Sequence, residues 1–280
     1  MRFRVHHETR YRYDAPVALG PHVLRLRPRE DAVQRLVRYR LVIDPEPSLL
    51  SGAGDAEGNV VTHAWFGGAT DALTVTSAFE VETLRVDPFD YLPDASFETV
   101  PVRYPVELTQ VLQPCMEPRQ ADSVHAFAAQ VLVESGDAPV AFLDALNRTI
   151  HARTVLAVRD DGRHAQSGAK TLALGRGACR DVTVLFMEAA RAMGFAARFV
   201  SGYRHGDLTR PDRHLHAWAE AYIPGGGWRG WDPVEGRAVA DAHVALAASA
   251  QQIHTMPVTG AFIGRGVGST LAYTIRIEAQ

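Results

Sequence analysis

The chain has 280 residues, of which 46% are hydrophobic and 22% charged, with a formal net charge of -3. That is the composition of a globular protein with enough length for one large domain or two ordinary ones. The near-neutral charge gives no electrostatic argument for nucleic acid or an anionic membrane. No apolar run approaches the ~18 residues of a membrane span, and no signal-peptide core follows Met1, so a cytoplasmic location is expected. Two cysteines, Cys115 and Cys179, are too few for a disulfide framework and are read as free thiols.

Residues 2–13 alternate strictly, with Phe3, Val5, His7, Thr9, Tyr11 and Tyr13 on one face and Arg2, Arg4, His6, Glu8, Arg10 and Arg12 on the other. A period of two predicts a half-buried strand. Ala15 to Pro21 reads as a turn or loop. Further strands are expected over 22–27, over 33–43 with Val33, Val37, Tyr39, Leu41 and Ile43 on one face, and over Val60–Phe66. A Gly/Asp-rich turn from Gly52 to Asn59 precedes the last of these. A long strand over 72–86 has Leu73, Val75, Phe79 and Val81 inward. Short strands separated by turn signals predict an antiparallel, sandwich-like β unit over 1–105.

Prolines 88, 93, 101, 105, 114 and 118 mark the connection to a second unit over 106–280. Cys115 lies in this stretch with no histidine or acid arranged around it and reads as an inert thiol. Helices are then expected from Asp122 or Ser123 to about Glu134, and from an Asp137 cap through Ile150 with Pro139 just inside the start. A short helix capped by Ser167 follows. The next runs from Cys179 to its stop at Gly194, with Val182, Leu185, Phe186 and Ala189 as its buried stripe. Strands are expected over 196–203, 214–223 and 228–232, with Pro224-Gly225-Gly226-Gly227 turning the chain between the last two. Residues 239–248 are ambiguous. The final alternation (Leu271, Tyr273, Ile275, Ile277) is a strand over 269–279 that can pack on either unit.

Chemistry concentrates between Gly175 and Pro233. Cys179 follows Gly175-Arg176-Gly177-Ala178 and opens a helix, where unpaired backbone N–H groups favour negative charge and hence a thiolate. Its own N–H is a candidate oxyanion donor. The two glycines allow a close backbone approach, as a substrate carbonyl over the sulfur would need. His216 shares a strand face with Trp218 and Glu220, while Leu215, Ala217, Ala219 and Ala221 form a small-residue face suited to packing against that helix. His214 has the same parity and competes for the role of base. Asp232 returns on the following strand, beside His216, where a carboxylate can accept one imidazole N–H and hold the other nitrogen toward sulfur. Glu235 is a further candidate for that acid. Thiol, base and orienting anion are what a sulfur nucleophile requires. Cys179, His214 and His216 lack the second cysteine pair or the His-Glu-x-x-His helix of a zinc site, so no metal is expected.

The stretches Gly175-Arg176-Gly177-Ala178-Cys179-Arg180-Asp181, Phe199-Val200-Ser201-Gly202-Tyr203, His216-Ala217-Trp218-Ala219-Glu220 and Gly227-Trp228-Arg229-Gly230-Trp231-Asp232-Pro233 resemble the transglutaminase-like superfamily, in its prokaryotic cysteine peptidase-like branch. His7 to Tyr13, Leu24 to Arg29 and the Gly58-Asn59 turn resemble the N-terminal β domain of that branch. The resemblance implies an α+β fold: an N-terminal β domain followed by a papain-like core of helices on an antiparallel sheet. It also implies a Cys179-His216-Asp232 triad acting on a peptide or protein amide through a thioester, with no cofactor. Water as acceptor gives a peptidase or amidase, an amine gives a transglutaminase, and a scaffold with a relict triad is the non-enzymatic alternative. Tyr203, Trp218 and Trp231 are the oxyanion or cleft candidates. Val182 stands where the family often has an aromatic residue, Val234 and Glu235 where it often has Thr-Asn, and Ser249 to Gln252 where Gly-Arg-Asp-Tyr is common.

Overall fold

The structure, a computed structural model, describes residues 1–95, 97–117, 121–157, 164–206 and 215–280. The first unit contains strands β1 (Arg2–Leu24), β2 (Gln34–Asp44), β3 (Leu49–Gly54), β4 (Val60–Trp65) and β5 (Thr70–Thr83). Helices α1 (Val106–Met116), α2 (Asp122–Ser135) and α3 (Pro139–Arg153) follow. Next come the two-residue strand β6 (Val155–Leu156), α4 (Gly168–Leu174), the two-residue strand β7 (Arg176–Gly177) and α5 (Cys179–Ala192). The chain ends with β8 (Ala197–Arg204), β9 (His216–Ile223), β10 (Gly227–Asp232), β11 (Arg237–Ala238), β12 (His243–Ser249), β13 (Val258–Ile263) and β14 (Ser269–Ala279). No described helix is long and apolar enough to cross a membrane.

The N-terminal sheet is antiparallel and built around β1. Its first half lies between β5 and β14, and its second half pairs with β4 and β13. The expected turn from Ala15 to Pro21 is therefore not a break. The ladder with β5 loses register between Arg12 and Val17, where β1 passes from one set of partners to the other. A strand changing partners tolerates Pro16, which has no N–H to give. The alternation read over residues 2–13 holds: Phe3, Val5, His7, Thr9 and Tyr13 are buried. Leu73, Val75, Phe79 and Val81 of β5 are buried opposite them. Parity fails in β2, where the register shifts between Leu36 and Arg38. Leu36 joins Tyr39, Leu41 and Ile43 on the core, while Val37 is exposed. A bulge of this kind inverts the face of everything before it. Strand β3 continues into what reads as turn, and the turn itself is confined to residues 55–59, where Asp55 Oδ1 accepts the N–H groups of Glu57 and Asn59 at 3.0 and 2.9 Å.

The proline-marked connection contains α1, which sequence reading missed because Pro105 stands at its N-cap and Pro114 inside it. Helices α2 and α3 lie where expected, but Ala121 and Ala138, not Asp122 or Asp137, occupy the N-cap positions. The ambiguous residues 239–248 contain β12, which pairs with β8 at the edge of a five-stranded sheet, β11-β10-β9-β8-β12. That sheet packs its Ala217, Ala219 and Ala221 against Val182, Leu185, Phe186 and Ala189 of α5, in one core with α2 and α3.

The outer edge of β12 is not left open. Gln34 Oε1 accepts the Ala245 N–H at 2.8 Å and its Nε2 donates to the Ala245 carbonyl at 2.9 Å. Asn59 Oδ1 accepts the Ala248 N–H at 2.8 Å and its Nδ2 donates to the Ala248 carbonyl at 2.9 Å. Two side-chain amides from the N-terminal unit, one in β2 and one in the turn before β4, thus take the place of a neighbouring strand, which satisfies backbone groups that burial would otherwise leave unpaired.

Candidate active site

Cys179 is held by the loop that precedes it. Helix α4 stops at Gly175, whose φ of 57° is left-handed and suits a residue without a Cβ. The next residues are tied to β6, with the Val155 N–H donating to the Gly175 carbonyl at 2.9 Å and the Ala157 N–H to the Gly177 carbonyl at 2.8 Å. A Cβ on Gly177 would stand 2.8 Å from the Asp181 Cβ, so the glycine serves close packing against the protein's own helix and not the approach of a substrate. Asp181 is fully buried and closes the loop. Its carboxylate accepts the Ala178 N–H at 2.8 Å, the Gln166 N–H at 2.8 Å and the Gln166 Nε2 at 3.1 Å. Cys179 is the first residue of α5, so its N–H has no intrahelical acceptor. Its Sγ lies 3.9 Å from the carbonyl of Leu215, the residue before β9.

His216 opens β9. The β9–β10 ladder ends with Trp231 opposite Ala219, which leaves Asp232 level with Trp218 and diagonal to His216 on the same face. The diagonal is closed by a hydrogen bond: His216 Nε2 donates to Asp232 Oδ2 at 2.6 Å. Asp232 has no solvent exposure, and its Oδ1 accepts the N–H groups of Val234 and Glu235 at 3.0 and 3.3 Å. Burial disfavours the charged imidazole of His216. The charge of Asp232 and its hydrogen bond, with a smaller contribution from Cys179, outweigh burial and push the pKa up to about 10. Burial likewise opposes the Asp232 carboxylate, but His216 and then His243 hold it well below the usual carboxylate range.

His243 was not singled out by sequence reading. It stands at the head of β12, and its Nε2 donates to the same Asp232 Oδ2 at 3.0 Å. The alternation of His243-Val244-Ala245-Leu246 is the one sequence signal for this strand, but nothing local says that it lies beside Arg204 of β8. Other expectations are corrected. Tyr203 is no oxyanion donor, because it is buried in the core of the N-terminal sheet with its hydroxyl on His7 Nδ1 at 2.7 Å. Trp231 is no cleft wall: it is buried beside Phe186, and its Nε1 donates to Asp144 Oδ1 at 2.8 Å. Trp218 is buried with its ring edge-on to His243, and the two line a small pocket with Glu220. Glu235 pairs with Arg204 at 2.7 Å and not with His216. His214 lies outside the described residues.

His216, Asp232 and His243 present ligand-type atoms within 4.8 Å of one another. Their spacing is that of hydrogen bonds, since both Nε2 atoms approach one carboxylate oxygen at 2.6 and 3.0 Å. A zinc ion at about 2.0–2.1 Å from each ligand needs those atoms farther apart. The set fits protons, not a metal.

Two family models match the chain. The bacterial transglutaminase-like N-terminal region matches residues 3–82, and the transglutaminase-like superfamily core matches residues 125–233. An uncharacterised protein of Mycobacterium tuberculosis strain H37Rv is 26% identical, with 99% of this chain and 92% of that protein covered. An uncharacterised protein of Mycobacterium leprae is 27% identical, with 95% of this chain and 94% of that protein covered. Among solved structures, a Cytophaga hutchinsonii protein provisionally described as a cysteine protease superposes with a TM-score of 0.75 at 19% identity, over 99% of this chain and 90% of that one. At that identity the likeness is one of fold.

Proposed function

Taking as premise that the chain belongs to the transglutaminase-like superfamily, a family of thiol-dependent enzymes, we propose that it is an acyl-transfer enzyme that hydrolyses a peptide or isopeptide amide. In this reading Cys179 is the nucleophile, His216 the base and later the acid, and Asp232 the anion that orients the imidazole. Because Asp232 takes the Nε2 proton, the Nδ1 of His216 is the nitrogen that exchanges a proton with sulfur. The thiolate adds to the carbonyl carbon, and the backbone N–H of Cys179 stabilises the oxyanion. The imidazolium protonates the leaving amine as the C–N bond breaks and a thioester forms. Water, deprotonated by the same imidazole, then displaces the thiolate and releases a free acid. The single observation that carries this reading is a fully buried carboxylate bonded at 2.6 Å to an imidazole whose charged form it favours.

The test uses the full chain with a library of peptide amides. Free acid released is measured against a labelled alkylamine incorporated. Free acid in excess is expected, and Cys179→Ala should lower turnover by about 10³-fold or more. Incorporated amine in excess would make water the wrong acceptor, and unchanged turnover in Cys179→Ala would overturn the nucleophile.

A further inference from the structure

Asp232 Oδ2 accepts two imidazole N–H groups, from His216 at 2.6 Å and from His243 at 3.0 Å. An ionised carboxylate only accepts, so both Nε2 atoms carry a proton. His243 is nearly enclosed and its pKa is lowered, first by burial and also by the nearby charge of His216, against the pull of Asp232. Its Nδ1 is a buried atom without a hydrogen-bond partner among the described residues, so a second proton there would be an unpaired buried donor, and the geometry fits the neutral Nε2–H tautomer. The groups around it are Asp232 of β10, His216 and Glu220 of β9, Arg204 of β8 and Arg85 after β5. Arg204 is paired with Glu235, and Arg85 with Asp90. Among the described residues, Asp232 is the one that accepts a hydrogen bond from His243. An apolar residue would fill the same space without leaving an orphaned nitrogen, so packing alone does not explain a histidine here.

We infer that His243 is a positioning residue that shares the Asp232 carboxylate with His216 and thereby limits how tightly that carboxylate holds the imidazolium. This rests on the functional reading above. Every donor to a carboxylate spreads its charge and lowers its basicity. With four N–H groups on it, Asp232 can fix the ring of His216 through Nε2–H without over-stabilising the imidazolium. That matters because the imidazolium must give its Nδ1 proton to the leaving amine. A less saturated Asp232 would bind the imidazolium more strongly and make it a poorer acid.

The sign of one shift separates sharing from mere packing. The full chain is labelled with ¹⁵N-histidine, and the imidazole nitrogens are followed by NMR across pH. In the wild type, His243 should be neutral with its proton on Nε2 while His216 is cationic. Finding the proton of His243 on Nδ1 would overturn the inference without any variant. In His243→Leu the loss of the His216 proton should move up by roughly one pH unit, the effect of one hydrogen bond to a charged group. His243→Gln, which keeps a donor near the same place, should return it toward the wild-type value. If His243 only supports the packing, His243→Leu loosens the pair and the shift is downward; a downward or absent shift refutes sharing. Failure of the functional reading looks different, since a wild-type Cys179 no more reactive toward iodoacetamide than Cys115 would remove the reaction that His243 is argued to assist.

Discussion

His7 and His216 are both shielded from water, and their environments act in opposite directions. His7 has neutral partners, the Tyr203 hydroxyl at 2.7 Å and Thr9 Oγ1 at 3.0 Å. Burial, with a smaller contribution from His6, lowers its pKa from 6.5 to about 4. The unfolded chain therefore takes up a proton on His7 between those two values while the folded chain does not, and stability falls as the pH drops from 6.5 toward 4. The loss from this residue is about 3 kcal/mol. Urea unfolding at pH 7 and pH 4.5 measures it: the difference between the two stabilities should be clearly smaller in His7→Gln than in the wild type. An equal difference in both would contradict the account. His216 has an ionised partner and the opposite sign. Its contribution is complete below the unfolded value of 6.5 and is lost as the pH rises through about 10.

At the scale of the element, what could be read from the chain was whatever a local period or a capping residue encodes. The stripe of α5, its stop before Gly194 and the alternation of β1 and β5 are of that kind. So is the β9–β10 hairpin, because Pro224 to Gly227 can hardly do anything but turn, and a turn returns Asp232 toward His216. The faults came where the determinant is not local. The bulge that exposes Val37 depends on how β2 meets β5. Helix α1 begins behind Pro105, which is a permitted helix entry but was read as a break. Strand β12 carries an alternation too short to rank, and only its pairing with β8 brings His243 to Asp232. Tyr203 was misplaced for the same reason: its strand was found, but the sheet that would cover its side chain was not. The His216–Asp232 pair was legible because both residues lie within recognisable motifs; the saturation of the carboxylate was not, since three of its four donors have no motif of their own.

For the whole molecule, the N-terminal unit does more than adjoin the transglutaminase-like core. Gln34 and Asn59 bond both backbone groups of Ala245 and Ala248, and so fix the strand whose first residue is His243. Asn59→Leu would leave the buried N–H and carbonyl of Ala248 unpaired, at about 2–4 kcal/mol. Chemical unfolding monitored through the tryptophans should record that loss, and a change below about 0.5 kcal/mol would mean that the two units do not depend on this contact. The claim on which the rest depends is that α5, β9 and β10 bring a sulfur, an imidazole and a carboxylate into one reacting unit. Mass spectrometry of iodoacetamide labelling at pH 6 tests it most directly, because both cysteines are read in one sample. Burial pushes the Cys115 thiol up to about 11, so it should remain unlabelled. Cys179 should label at least about ten times faster, and His216→Ala should remove that advantage. Equal rates at the two cysteines, or a Cys179 rate indifferent to His216→Ala, would contradict the account.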